Sequence, residues 1–298
     1  MKKEKILEIK NLKQYFKLNK NKVIKALDGI SLDVYKGEVL GLVGESGCGK
    51  STLGKSIVGI NKITDGEIIY DGVNITKNNK LRRELISNSV QFIFQDSTSS
   101  LNSRMTIGEI ISEPLKIKKI YKNKSEENEK VYEMMKLVGL NKEFIDKYPY
   151  DFSGGQRQRV AIARALSVKP KFIIADEPIA SLDVSMQAQI INLFKMLKNN
   201  GELTCLFISH DLSMIRYISD RIAVIYKGKI VELAETEELC NNPIHPYTKS
   251  LLEAILVPTL KSNDLERVSD YKYEDKEYLG EKMKWKEVKK GHFVYGLD

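Results

Sequence analysis

Between Gly44 and Thr52 the chain reads GESGCGKST, which fits the pattern G-x-x-x-x-G-K-[ST]. The chemistry this allows is phosphate binding. Glycine at 44, 47 and 49 lets the backbone curl round an anion with its N–H groups turned inward, where side chains would obstruct. Lys50 supplies a point charge, and a helix opening there adds the positive end of its dipole. The Ser51 hydroxyl can ligate the magnesium that accompanies a nucleoside triphosphate. A Gly-rich turn with an accidental lysine is the plain alternative. The motif specifies nucleotide binding and leaves the use of the energy open.

Other positions carry matching chemistry. Phe152 to Arg159, FSGGQRQR, sets Ser153, Gly154, Gly155 and Gln156 at the start of a helix that carries Val160 to Leu166. Helix-start amides with no side chains in front form an anion seat; a flexible turn capped by Ser153 is the alternative. Lys171 to Pro178, KFIIADEP, is an apolar strand ending in Asp176 and Glu177. Such an end can deliver one carboxylate to a magnesium shell and the other to an attacking water, though two acids also suit a solvated strand end. Gln95 ends the strand Val90 to Phe94, where its amide can reach a metal or a water, or is a loop residue. His210, just beyond the buried run Leu203 to Ile208, can hydrogen-bond a γ-phosphate or be structural. Tyr15 and Phe16 stand among lysines and asparagines; one ring can stack on a purine, or pack on its own sheet.

The elements that must position these groups follow from apolar spacing. Val39 to Val43 reads as a buried strand before the loop, and Leu53, Ile57 and Ile60 recur at helical spacing after it. The first forty residues alternate as antiparallel strands, with Asp28-Gly29 and Lys36-Gly37 as turns. Gly66 to Gly72 is a short strand between turns. Residues 96–165 turn helical: Val131, Met134, Met135 and Val138 share a face, with Ser125, Glu126 and Glu127 suited to the helix start. Met186, Ile190, Phe194 and Leu197 mark a further helix stopped by Gly201. A hairpin is expected around Lys227-Gly228, a short helix over Thr248 to Leu256, and a loosely packed appendage over 259–298.

The length of 298 residues suffices for one large domain or two smaller ones. Of the formal net charge of +8, residues 1–26 hold nine lysines against Glu4 and Glu8. A solvated lysine-rich edge accounts for this, with anionic lipid or RNA as the alternative partner. Cys48, Cys205 and Cys240 lie far apart with no CxxC pair, which suggests neither a zinc site nor a disulfide framework and suits a reducing cytosol. The start MKKEKILEIK lacks the apolar block of a signal peptide, and no run approaches the roughly 18 apolar residues of a membrane span.

Taken in order, GESGCGKST, Gln95, FSGGQRQR, FIIADE, the SLD at Ser181 to Asp183, and His210 resemble the motif set of an ATP-binding-cassette (ABC) ATPase, over residues 5 to about 256. FQDSTSSLNSRMTIGEIISEPL, DEPIASLDVSMQAQI, NNPIHPYTKSLL and the ending GHFV at Gly291 to Val294 are similar to the oligopeptide, dipeptide and nickel import group. Ser97 and Ser103 depart from its usual prolines, and Phe152 from the commoner leucine; none removes a chemical group.

The resemblance implies an α/β fold: a P-loop NTPase core of mixed or parallel sheet flanked by helices, an antiparallel β layer, an inserted helical subdomain and a C-terminal extension. Residues 1–95 and 166–234 would form the core, 96–165 the insert and 235–298 the extension. Gly44, Ser46, Gly47, Cys48, Gly49, Lys50, Ser51 and Thr52 would hold ATP, with Tyr15 stacked on adenine and Phe16 the alternative ring. Ser51 and Gln95 would ligate Mg2+, with Asp176 acting through water. Glu177 would be the general base, assisted by Gln95 and by His210 as γ-phosphate sensor. Ser153 to Gln156 would cover the nucleotide of an opposing ATPase, usually non-identical. The pair would dock on two transmembrane permease subunits at the cytoplasmic face of the membrane, served by an extracytoplasmic binding protein. No direct substrate contact, no nucleic acid and no iron–sulfur cluster are implied, since only Cys240 lies in the extension. Import of nickel or another small solute is the alternative to peptides. Cassette ATPases acting on ribosomes usually carry two cassettes or a long coiled-coil insertion, and this chain has neither; a phosphotransferase would leave SGGQ and His210 unexplained.

Overall fold

The computed structural model describes residues 4–19, 22–77, 80–96, 100–180, 182–201, 203–256 and 285–296. Ser97, Ser181 and residues 257–284 of the expected appendage lie outside the described residues. The chain divides into two compact units, one of residues 1–34, 39–76 and 208–298 and the other of residues 35–38 and 77–207. Both are α/β.

In the first unit, β1 (Lys5–Asn19), β2 (Lys22–Tyr35), β4 (Asp65–Tyr70) and β5 (Val73–Asn74) form a sheet in the order β2-β1-β4-β5. Leu7 and Ile9 lie opposite Tyr70 and Ile68 in the antiparallel β1–β4 pairing, and all four are buried. Such cross-strand apolar pairs fix the register. Asp28-Gly29 is not a turn: both residues lie within β2. Gly29 has φ +86° and its Cα faces the Asn11 side chain, so the glycine serves an irregularity inside the layer. Sequence cannot separate that use of a positive φ from a turn.

A second set of strands in this unit runs β11 (Trp285–Lys289), β12 (His292–Tyr295), β10 (Lys229–Glu235), β9 (Arg221–Tyr226), β3 (Val39–Val43). Every residue of β3 is buried, as its unbroken apolar run demands. β3 and β9 pair in parallel, and β9 and β10 form the expected hairpin. Its two-residue loop, Lys227-Gly228, has both φ values positive, the geometry of a type I′ turn. Helix α1 (Lys50–Val58) follows β3 and buries Leu53 and Ile57; it ends at Gly59, so Ile60 falls beyond it and is exposed. Helices α7 (Leu212–Ile218), α8 (Thr236–Asn241) and α9 (Pro246–Leu256) complete the unit, α9 opening two residues before the expected Thr248.

Of the described part of the expected appendage, β11 is exposed, whereas β12 is packed. β12 pairs with β10, placing Val294 opposite Glu232, and Val294 and His292 are buried. Glu232 holds this junction. Its carboxylate accepts from the backbone N–H groups of Ile244 at 2.8 Å and His245 at 3.0 Å, and from His292 Nε2 at 2.7 Å.

The second unit has β6 (Val90–Ile93) parallel to β7 (Phe172–Asp176), with β8 (Cys205–Ser209) on the other side of β7. α2 (Lys80–Ser89) leads into β6, and α6 (Val184–Asn199) follows β7. α3 (Ile107–Lys118) packs on α4 (Lys124–Leu137) and α5 (Gly154–Leu166), and Ile110, Ile111, Val131, Met135, Val160 and Ile162 of these helices are buried. The start of α4 is capped by Asn123, whose side chain accepts from Glu126 N–H, and not by Ser125, which lies inside the helix. Among the described residues no helix is long and apolar enough to cross a membrane.

His245 supplies a test of the packing. Its Nδ1 accepts from the Tyr247 N–H at 3.2 Å, so the neutral ring carries its proton on Nε2. Burial pushes its pKa down to about 4 from an ordinary 6.5, with Glu232 opposing. Between these values the unfolded chain takes up a proton that the native ring refuses. Stability should therefore be flat in this respect above about pH 6.5 and fall on acidification toward pH 4, by up to about 1.4 kcal/mol per pH unit. In a pH series of thermal melts, His245→Asn, whose amide oxygen can replace Nδ1 as acceptor, should lose less stability in that window than the wild type.

Candidate functional site

The chemically capable residues divide between the units. The phosphate loop, Tyr15 and His210 belong to the first; Gln95, Asp176, Glu177 and Ser153 to Gln156 belong to the second.

The loop joins a fully buried strand to α1, and its shape is set by close approach. A Cβ on Gly44 would stand 2.2 Å from the Ile225 carbonyl oxygen, and one on Gly49 would stand 2.4 Å from that of Ala26. Gly49 is the N-cap of α1 at φ 112°, no side chain caps that helix start, and its first turn carries no acid. By contrast α3, α4, α5, α6 and α7 start at side-chain oxygens of Thr106, Asn123, Ser153, Asp183 and Asp211. Lys50 is buried, and its Nζ donates to the carbonyls of Gly44 at 2.7 Å and Glu45 at 2.9 Å, bending over the loop. From outside, Gly228 N–H donates to the Cys48 carbonyl at 2.9 Å, and the Glu45 N–H donates to the Tyr247 hydroxyl at 3.0 Å. Burial pushes the Cys48 thiol up, against the pull of Lys50, which keeps it protonated. Ser51 and Thr52 are half-buried, and Ser46 is exposed.

Tyr15 is held in place: its hydroxyl donates to Asp28, and burial followed by that hydrogen bond pushes its pKa up to about 12. Lys25 Nζ lies 5.7 Å from the centre of its ring. Phe16 is exposed. His210 is exposed directly after β8.

In the second unit, strand register brings two groups together. β6 and β7 pair in parallel with Ile93 opposite Ala175. Two residues further on each strand come Gln95 and Glu177, and Gln95 Nε2 donates to Glu177 Oε2 at 2.9 Å. A carboxylate only accepts, so this contact orients the amide and leaves Gln95 Oε1 as the group able to face a cation. Asp176 and Glu177 are buried, and Glu177 has φ +47°, uncommon for a residue with a side chain. Within this unit Gln95 and Asp176 both offer side-chain oxygen, the donor type that a hard cation such as magnesium takes. The glycine cradle and the uncapped α1 fit a phosphate chain.

Ser153 caps α5 by accepting from Gln156 N–H, and Gln156 Oε1 accepts from Ser153 N–H in return. A Cβ on Gly155 would meet Met186 Sδ at 2.6 Å and Leu182 Cδ2 at 3.2 Å. On Gly154 it would meet nothing within 4 Å. Packing within the unit explains glycine at 155 and does not explain it at 154.

The ABC transporter family model matches residues 27–180. The Bacillus subtilis (strain 168) oligopeptide transport ATP-binding protein OppF is 54% identical, over 98% of this chain and 96% of that protein. The chain belongs to the ABC transporter family. A second model, the C-terminal region of oligopeptide/dipeptide transporters, matches residues 231–278 of this ABC protein. The dipeptide transport ATP-binding protein DppF of Lactococcus lactis subsp. cremoris (strain MG1363) is 46% identical over 99% of this chain and 95% of its own. Among solved structures, the ABC chain resembles a dimeric post-hydrolysis state of an ATP-binding cassette bound to ADP and Pi, with TM-score 0.71 and 29% identity over 77% of this chain and 98% of that one. Reading the sequence missed Tyr247 and Gly228 as neighbours of the loop, and Asp28 as partner of Tyr15. The HPY within NNPIHPY was the available signal, but nothing local says what its tyrosine touches.

Gly154 and Gly155 should separate by stability. Gly155→Ala should destabilise the isolated chain by about 1–2 kcal/mol through overpacking against Met186 and Leu182. Gly154→Ala should stay within about 0.5 kcal/mol of wild type. Urea unfolding of the two variants side by side checks both.

Proposed function

We propose that this chain is the ATP-binding and ATP-hydrolysing subunit of an importer for oligopeptides or dipeptides. The observation that carries the reading is the phosphate loop, with its glycine cradle, its uncapped helix start and Lys50 folded over it. The similarity to OppF and DppF over nearly the whole chain supports the substrate class.

In this reading Tyr15, fixed by Asp28, stacks on adenine. The amides of the loop and Lys50 hold the phosphates, Lys50 exchanging its Gly44 and Glu45 carbonyls for phosphate oxygens. Ser51, Gln95 and Asp176 would hold Mg2+, which would supply charge neutralisation for the phosphates. Glu177 takes the proton of the attacking water, held in place by Gln95, and His210 contacts the γ-phosphate. Ser153 to Gln156 face the nucleotide of a second, non-identical ATPase. The open space in front of Gly154 supports this assignment. Residues 1–95 and 166–234 act as catalytic core, 96–165 as helical subdomain and 235–298 as the group's extension. The pair is peripheral to the membrane, held by two permease subunits and served by an external binding protein, so this chain makes no contact with the peptide.

Glu177→Gln keeps an acceptor for Gln95 and removes the base. Nucleotide affinity should be retained while phosphate release by the reconstituted complex, with the partner's site silenced, falls about 10²–10⁴-fold. Unchanged turnover would remove Glu177 from the role. For the adenine ring, Tyr15→Ala should weaken ATP binding by the isolated chain about tenfold, within the range of base–aromatic stacking, and Phe16→Ala should leave it near wild type. The reverse order would move the assignment to Phe16.

A further inference from the structure

The C-terminal region reaches the phosphate loop through Tyr247. Tyr247 is 1% exposed, and its hydroxyl accepts the Glu45 N–H at 3.0 Å. Its ring lies 4.3 Å from that of Tyr226 at the end of β9, and its carbonyl accepts from Ser250 Oγ at 2.8 Å. Its own N–H donates to His245 Nδ1. The segment carrying these residues is pinned by Glu232 through the Ile244 and His245 amides, and Glu232 is pinned in turn by His292 from β12.

We infer that Tyr247 is a positioning residue for the phosphate loop, setting the path of its first residues from outside so that the amides nearer α1 stay turned inward. This rests on the reading of the loop as an ATP site. The physical argument starts from Glu45. Its amide follows Gly44, where a Cβ would stand 2.2 Å from the Ile225 carbonyl oxygen, so the chain passes close to β9 at this point. That amide points at the buried Tyr247 hydroxyl, and a loop that lost this acceptor would rotate to find another. Rotation of that N–H would carry the Gly44 carbonyl with it, because the two belong to one planar peptide. The Gly44 carbonyl receives Lys50 Nζ at 2.7 Å, beside the Glu45 carbonyl at 2.9 Å. Tyr247 therefore orients the peptide that parks the lysine. Burial pushes the Tyr247 pKa up, so the phenol is neutral and remains an acceptor throughout the physiological range. The hydroxyl acts through a backbone amide on the outer side of the loop, so its effect falls on binding and not on the chemical step.

Tyr247→Phe removes only the hydroxyl and keeps the ring against Tyr226. In the full-length chain we expect MgATP affinity, measured by titration, to fall about threefold to tenfold, the worth of one hydrogen bond. The melting temperature without nucleotide should stay within about 3 °C of wild type, as a loss of up to about 1 kcal/mol in a chain this long allows. Hydrogen exchange at the Glu45 amide should accelerate, while the Ile173 amide, bonded to the Thr204 carbonyl in the other unit, keeps its rate. In the assembled ATPase the KM for ATP should rise with kcat unchanged within about twofold. Affinity equal to wild type, or a loss accompanied by faster exchange at both amides, would overturn the inference, the second result marking a general destabilisation. Absence of MgATP binding by the wild-type chain would overturn the ATP reading itself, whatever the variant does.

Discussion

A phosphate cradle is backbone with its donors turned inward, so its shape depends on what braces the outer side. In this chain the bracing begins with strand register. β3 and β9 run parallel with Val43 opposite Val224, and one residue further on the Ile225 carbonyl occupies the space that a side chain at 44 would need. The hairpin turn then offers Gly228 N–H to the Cys48 carbonyl, and the C-terminal region offers Tyr247 to the Glu45 amide. These partners lie far downstream of the loop in sequence. The motif GESGCGKST permits the curl, and distant parts of the chain hold it.

The same device works in the second unit. Parallel pairing of β6 with β7 makes their ends coincide, so the residues two past Ile93 and Ala175 meet, and they are Gln95 and Glu177. The left-handed backbone at Glu177 costs about 1 kcal/mol or more, and it is retained at the carboxylate assigned as base. A glutamate in ordinary extended backbone would continue the line of β7, whereas this turn of the chain leaves its side chain against the Gln95 amide.

Most of the regular structure was legible because it is written locally. Unbroken apolar runs gave β3, β7 and β8, and Lys227-Gly228 gave its hairpin because a two-residue loop with two positive φ values favours such pairs. Residue types and order also gave the candidate site, since a cradle, a paired acid end and an anion seat each need particular side chains. What escaped was set by partners remote in sequence. Gly29 reads as a turn but serves an irregularity in β2, because both uses ask for the same φ. α2 carries only Leu81, Leu85 and Ile86 as large apolar residues among charges, and buries the charged Arg82 as well, so no apolar face announces it. The strand His292–Tyr295 sits in a stretch of balanced charge that looks unable to pack, yet Val294 is fully buried because β10 supplies the ladder.

The contrast between two anion seats in the first unit separates a structural one from a functional one. The amides of Ile244 and His245 converge on Glu232, and the fold fills that seat with its own carboxylate, adding His292 as a third donor. A buried carboxylate satisfied this way is costly to release, since β12 cannot leave without uncovering it. The start of α1 is the opposite case: no side chain caps it and no acid stands in its first turn. Glu45, earlier in the loop, is exposed, and its amide is tied to Tyr247. A helix start left uncapped by the fold, beside a lysine bent over the loop onto the Gly44 and Glu45 carbonyls, favours an anion from outside the chain. The junction at Glu232 therefore does more than seal the C-terminus. It fixes the segment whose tyrosine braces that cradle, and so ties the packing of the last strand to the geometry of the first chemical motif.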